Sequence, residues 1–124
     1  MRDYSSRRED TTRAGTLVLR GKQYFYKNAK DAMVFILREL AKEDGSFLER
    51  CSLHPDAIGR KRKYIAKTTG ELYPDRPDLR EYHEELSGGW LVMTNLSNNR
   101  KRNIIQIAAE VAGLTLGKDL IVQL

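Results

Sequence analysis

The chain has 124 residues, a formal net charge of +5 and a pI near 9.4, the size of one ordinary domain that can bury a core without disulfides or structural metal. Its single cysteine, Cys51, excludes an intramolecular disulfide and paired-cysteine zinc spacing. No apolar run reaches membrane-span length and the first residues lack the apolar core of a signal peptide, so a cytoplasmic protein is expected.

Residues 1–14, "MRDYSSRREDTTRA", mix charges with Ser and Thr and show no apolar period. They read as a flexible arm, with a single domain over 15–124. "TLVLRGKQYFYK" holds two β-rich runs about Arg20, Gly21 and Lys22, the pattern of a hairpin in which Gly21 supplies the turn. Asn28 then caps a helix through "AKDAMVFILRELAKED", with Asp31 in its first turn. Ala32, Phe35, Ile36 and Leu40 follow helical spacing, Met33 and Leu37 widen the stripe, and Gly45 ends it. "SFLERCSL" predicts a further helical turn with Phe47, Leu48 and Leu53 as core anchors, and "RKYIAKT" predicts a strand.

Pro74 and Pro77 interrupt regular structure, after which "PDLREYHEEL" reads as a short acidic helix with Pro77 at its first position, closed by Gly88 and Gly89. "WLVMTN" is almost continuously apolar and predicts a central strand. Ser97 caps a second long helix that buries Ile104, Ile105, Ile107, Ala108 and Val111 and ends at Gly113. "DLIVQL" is a last strand with Leu120, Val122 and Leu124 on one face. The order ββαβ(α)βαβ predicts an α+β fold, with one mixed sheet of about five strands and two main helices.

The charge is segregated. Residues 58–67, "IGRKRKYIAK", carry five cations and no anion, whereas residues 71–85 carry six anions against Arg76 and Arg80. Three successive cations, Arg100, Lys101 and Arg102, follow "TNLSNN" at a helix start, where the backbone dipole disfavours them by about 0.3–1 kcal/mol each. A bound phosphate would reverse that sign, because the same end offers unpaired amides to anions. One reading makes Ser97, Asn98, Asn99, Arg100, Lys101 and Arg102 an anion site, with Arg60, Lys61, Arg62 and Lys63 as a second basic group and Tyr64 as a ring for a base. The other has Glu81, Glu84 and Glu85 neutralise the helix start.

Usual catalytic sets are sparse. His54 and His83 stand apart, and the Cys51 and His54 pair is followed by Pro55, which disfavours helical geometry there. Asp75, Asp78 and Glu81 lack the lysine and separate strand ends of a nuclease metal site, and no glycine-rich phosphate loop is present. No catalytic residue, metal or cofactor is expected.

"GWLVMTNLSNNRKRNIIQIAAEVAGL", with "LVLRGKQYFYKNAKDAMVFILRELAKED" and "RKYIAK", resembles an accessory domain attached to bacterial restriction-type and ParB-like nuclease proteins. The likeness centres on Gly89, Trp90, Thr94, Asn95, Leu96 and Ser97, and "TTGELYPDRPDLREYHEEL" departs from it. It implies a noncatalytic module of DNA-related, defence-like machinery with no catalytic residues to carry over. The expected partner is nucleic acid, DNA foremost, or an acidic protein. The alternative is an interaction or homodimerisation module that uses the acidic residues 71–85 or the last strand.

Overall fold

β-Branched and aromatic residues at alternating positions form the first hairpin of the computed structural model, which describes residues 14–59 and 62–124. Strands β1 (Gly15–Leu19) and β2 (Lys22–Tyr26) pair antiparallel with Leu19 opposite Lys22. Both turn residues have positive φ, 53° at Arg20 and 81° at Gly21, the twist that a two-residue hairpin requires. The left-handed conformation of Arg20 is held by a 2.7 Å bond from its amide to the Asp119 carbonyl and by its guanidinium against Glu43 at 2.8 Å. The predicted arm, Ala14 apart, lies outside the described residues.

Helix α1 (Ala29–Glu43) begins where Asn28 Oδ1 accepts the Asp31 amide at 2.8 Å, while Asp31 Oδ2 accepts that of Lys27 at 2.8 Å. The first bond satisfies one of the orphaned donors of the first turn, and the second ties the residue before the cap to that turn. The helix buries Ala29, Ala32, Met33, Val34, Ile36, Leu37 and Leu40. Helix α2 (Phe47–Leu53) buries Phe47, Leu48 and Cys51. Leu53, expected in the core, is instead 69% exposed, because the chain leaves helical geometry at His54 and turns into a 3₁₀ segment at Pro55–Ala57.

The fold is α+β, but its strands form two three-stranded antiparallel sheets rather than one sheet of five. In the first, β1 lies between β2 and β6 (Leu120–Ile121), with Leu19 opposite Leu120. In the second, β5 (Leu91–Met93) lies between β3 (Ile65–Ala66) and β4 (His83–Glu85). The central place expected of "WLVMTN" is therefore observed. The short helix α3 (Thr69–Leu72) separates β3 from the proline segment.

The predicted acidic helix at 77–86 is not formed. Pro77–Leu79 makes a single 3₁₀ turn, and His83–Glu85 is extended. Gly88 and Gly89, at φ 64° and 83°, close a hairpin in which the Leu86 amide bonds the Trp90 carbonyl at 2.7 Å. Such a turn aligns residues 83–85 with β5, and ladder bonds replace those of a helix too short to nucleate well.

Helix α4 (Asn98–Ala112) is capped by Ser97, whose Oγ accepts the Arg100 amide at 3.2 Å. It ends at Gly113 in the left-handed region, φ 74°, with the Leu114 amide bonded to Ala109 O at 2.8 Å. Helices α1 and α4 pack together, and one core joins Leu17, Leu37, Phe47, Ile65, Met93 and Ile104. Each such side chain contributes roughly 1.5–3 kcal/mol through burial.

Candidate nucleic-acid interface

Consecutive helix residues project about 100° apart, so three adjacent cations cannot share a direction. Lys101 stands one to two turns before Ile104, Ile105 and Ala108 and is fully buried with them. Arg100 turns to Tyr64, donating to its hydroxyl with the guanidinium carbon 5.7 Å from the ring centre. Arg102 turns the other way, donating to the main-chain oxygen of Leu124 at 2.8 Å and to Asn99 Oδ1 at 3.4 Å. Ser97 is engaged as the cap, Asn98 is half-buried, and Asn99 is exposed. The dipole penalty on Arg100 is offset by its hydrogen bond to the Tyr64 hydroxyl.

The second basic group is only partly described, since Arg60 and Lys61 lie outside the described residues. On either side of them the chain doubles back: Ile58 and Lys63 form an antiparallel bridge, and the Gly59 amide bonds the Arg62 carbonyl at 2.7 Å. A side chain at Gly59 would place its Cβ 3.1 Å from the Tyr64 hydroxyl and 3.3 Å from the Arg62 carbonyl, so the close approach there suits glycine. Arg62 meets Asp75 at 3.2 Å and lies 5.6 Å from the Tyr73 ring centre, and Lys63 meets Glu71 at 3.3 Å. Tyr64 is buried, and its neighbours Ile65 and Ala66 are buried as well. Its ring is thus packed rather than offered to a base, which removes the stacking role expected of it.

The acidic segment does not cross the start of α4 through Glu84 or Glu85. Glu84 lies 3.6 Å from Lys30 and 3.8 Å from Arg38, and the Glu85 carbonyl accepts from Arg38 at 3.0 Å. Strand β4 therefore neutralises α1. The two basic stretches touch through Arg100 and Tyr64.

They meet at a polar cleft of about 400 Å³ between residues 55–59 and one side of α4. Arg100 stands at one end, Asn103 and Gln106 along the wall, and Asp56 and Glu110 toward the other end. His54 is fixed near that acidic end. Its Nδ1 accepts the Asp56 amide at 3.1 Å, so its Nε2 carries the proton and donates to Glu110 Oε2 at 2.9 Å. Both ring nitrogens are engaged away from Cys51. That thiol is wholly buried in the core, and burial pushes it from its ordinary 9.0 up to about 12, the opposite of what a nucleophile needs. Among the described residues, no three His, Cys, Asp or Glu side chains are grouped to hold a metal ion, and no helix is long and apolar enough to cross a membrane.

Asn103, Gln106 and the clasp of His54 on Glu110 were not anticipated from the residues. Their signal was present in the spacing of Asn99, Asn103, Gln106 and Glu110, which repeats at helical intervals on the side of α4 away from Ile104 and Ala108. Comparison of the chain with family models, with curated proteins and with solved structures finds no match in any of the three.

Proposed function

We propose that this chain is a noncatalytic nucleic-acid-binding module, an accessory to DNA-related machinery, which holds phosphates between residues 58–63 and the first turn of α4. The observation that carries this reading is the meeting of Arg100 with Tyr64 across 36 residues of sequence. Arg20, Arg50, Arg62, Lys63 and Arg76 are each neutralised by a carboxylate at their side, Glu43, Asp44, Asp75, Glu71 and Asp78. Arg100 instead donates to a neutral hydroxyl, so its charge stays available to an anion beside a helix end whose dipole already attracts one.

The test is binding of a short DNA duplex as a function of salt. Affinity should fall steeply as salt rises, and an Arg100→Ala, Arg102→Ala variant should lower the slope of log K against log salt by up to about 2. Lys101 is left in place because its removal would disturb the core. A variant with native melting temperature and an unchanged slope would remove the helix start from the interface.

Self-association is a second reading, favoured by Phe25, 87% exposed on the edge strand β2. An exposed edge with an aromatic side chain is a ready surface for pairing with another strand. Sedimentation at micromolar concentration separates the two readings, since a dimer abolished by Phe25→Ser would support it.

A further inference from the structure

The solvent face of α4 is built from amides. Asn99, Asn103 and Gln106 are exposed and fall within about 60° of one another around the helix axis, opposite the buried Lys101 and Ala108. Asparagine is among the weaker helix formers, so two of these residues weaken the element that carries them. A face needed only for solubility is served better by Lys and Glu. The stripe is bordered by cations, Arg100 on the cleft side and Arg102 on the other. Glu110, which continues the same row, is drawn to His54.

We infer that α4 reads base edges in the major groove of double-stranded DNA, with Asn103 and Gln106 as the specificity-determining side chains and the flanking arginines set toward the phosphate chains. This rests on the nucleic-acid reading above and names its substrate. A side-chain amide presents a donor beside an acceptor, the pattern that matches adenine N7 and N6 in that groove, which is also wide enough for a helix. Binding of a single strand relies on exposed rings for stacking. Tyr64 is the one ring among the described residues lining the cleft, and it is buried. Duplex RNA keeps its base edges in a major groove too deep and narrow for side chains to read. Charge complementarity and amide chemistry together therefore select duplex DNA.

The experiment is selection from a pool of short randomised duplexes, followed by affinities for the selected duplex, its scrambled counterpart and each single strand. The native chain should prefer the selected duplex by roughly tenfold or more. In an Asn103→Ala, Gln106→Ala variant this preference should collapse toward one, while affinity for the scrambled duplex stays within about twofold, as expected when phosphate contacts persist. Both positions are exposed and alanine is the better helix former, so the variant should melt at or a little above the native temperature. Retention of the preference by the variant overturns the inference. So does salt-dependent binding with no preferred duplex, or tighter binding to the single strands, and in either case phosphate binding itself survives. Failure to bind any of these probes at low salt would overturn the phosphate reading as well.

Discussion

Helices α1 and α4 are both 15 residues long, both begin on a side-chain cap and both face one core, yet their outer faces differ in kind. On α1 the outer charges are answered within the chain. Lys42 meets Glu39 at 2.8 Å, Glu43 meets Arg20 at 2.8 Å, and Lys30 and Arg38 meet Glu84. On α4 the outer residues are three amides and Glu110, which meets His54, bordered by arginines held on oxygen acceptors. The same length and the same buried face thus support two surfaces, one whose charges are paired within the chain and one whose amides face solvent. The first surface stabilises, whereas the second gives up a little stability and keeps its hydrogen-bonding capacity.

The largest effects should be shared by the two helices, because they come from the common core. Leu37→Ala and Ile104→Ala should each cost about 2–5 kcal/mol, read from urea midpoints. A marked disparity between them would break the equivalence of the two buried faces. Beside that core, Cys51 supplies a pH test. Its folded pKa is raised, so the buried thiol contributes stability that is fully present below 9 and is lost as pH rises toward about 12. The deficit of Cys51→Ala relative to the native chain should accordingly shrink between pH 9 and 12 in chemical denaturation.

Cap removal should have a smaller effect. Asn28→Ala and Ser97→Ala are each expected to lose about 1 kcal/mol, with Asn28 the more costly because its cap bond is the shorter, 2.8 Å against 3.2 Å. Smallest of all is the outer face of α1, where Lys42→Ala should change stability by no more than about 0.5 kcal/mol and leave nucleic-acid binding untouched. A binding loss from Lys42→Ala comparable to that from the Arg100, Arg102 variant would show that nucleic acid responds to overall charge, and the contrast between the helices would lose its meaning.

Local signals were legible in the sequence. Arg20 and Gly21 announced a hairpin, Asn28 and Ser97 announced caps, and Gly113 announced a helix end; each is decided within a few residues of chain. Residues 77–86 misled because their helical cues are local, whereas the extended form depends on β5, brought alongside by Gly88 and Gly89. Leu53 misled for a related reason, since its exposure follows from the turn that the chain takes at His54. At the candidate site, the burial of Lys101 could have been read from its spacing to Ile104, Ile105 and Ala108. The contact of Arg100 with Tyr64 could not, for it requires the fold that brings residues 36 positions apart together.

The pairing of β1 with β6 has a consequence in time. Val18 lies opposite Ile121 across nearly the whole described chain, whereas the second sheet joins strands that all fall within residues 65–93. Closing a longer loop costs more entropy and slows the search for contact. The second sheet should therefore assemble first, and β1 should wait for β6 to take its central place. Pulse-labelled amide exchange during refolding should find Val92 protected before Arg20, whose amide bonds the Asp119 carbonyl across that long loop, and the reverse order would overturn this sequence of assembly.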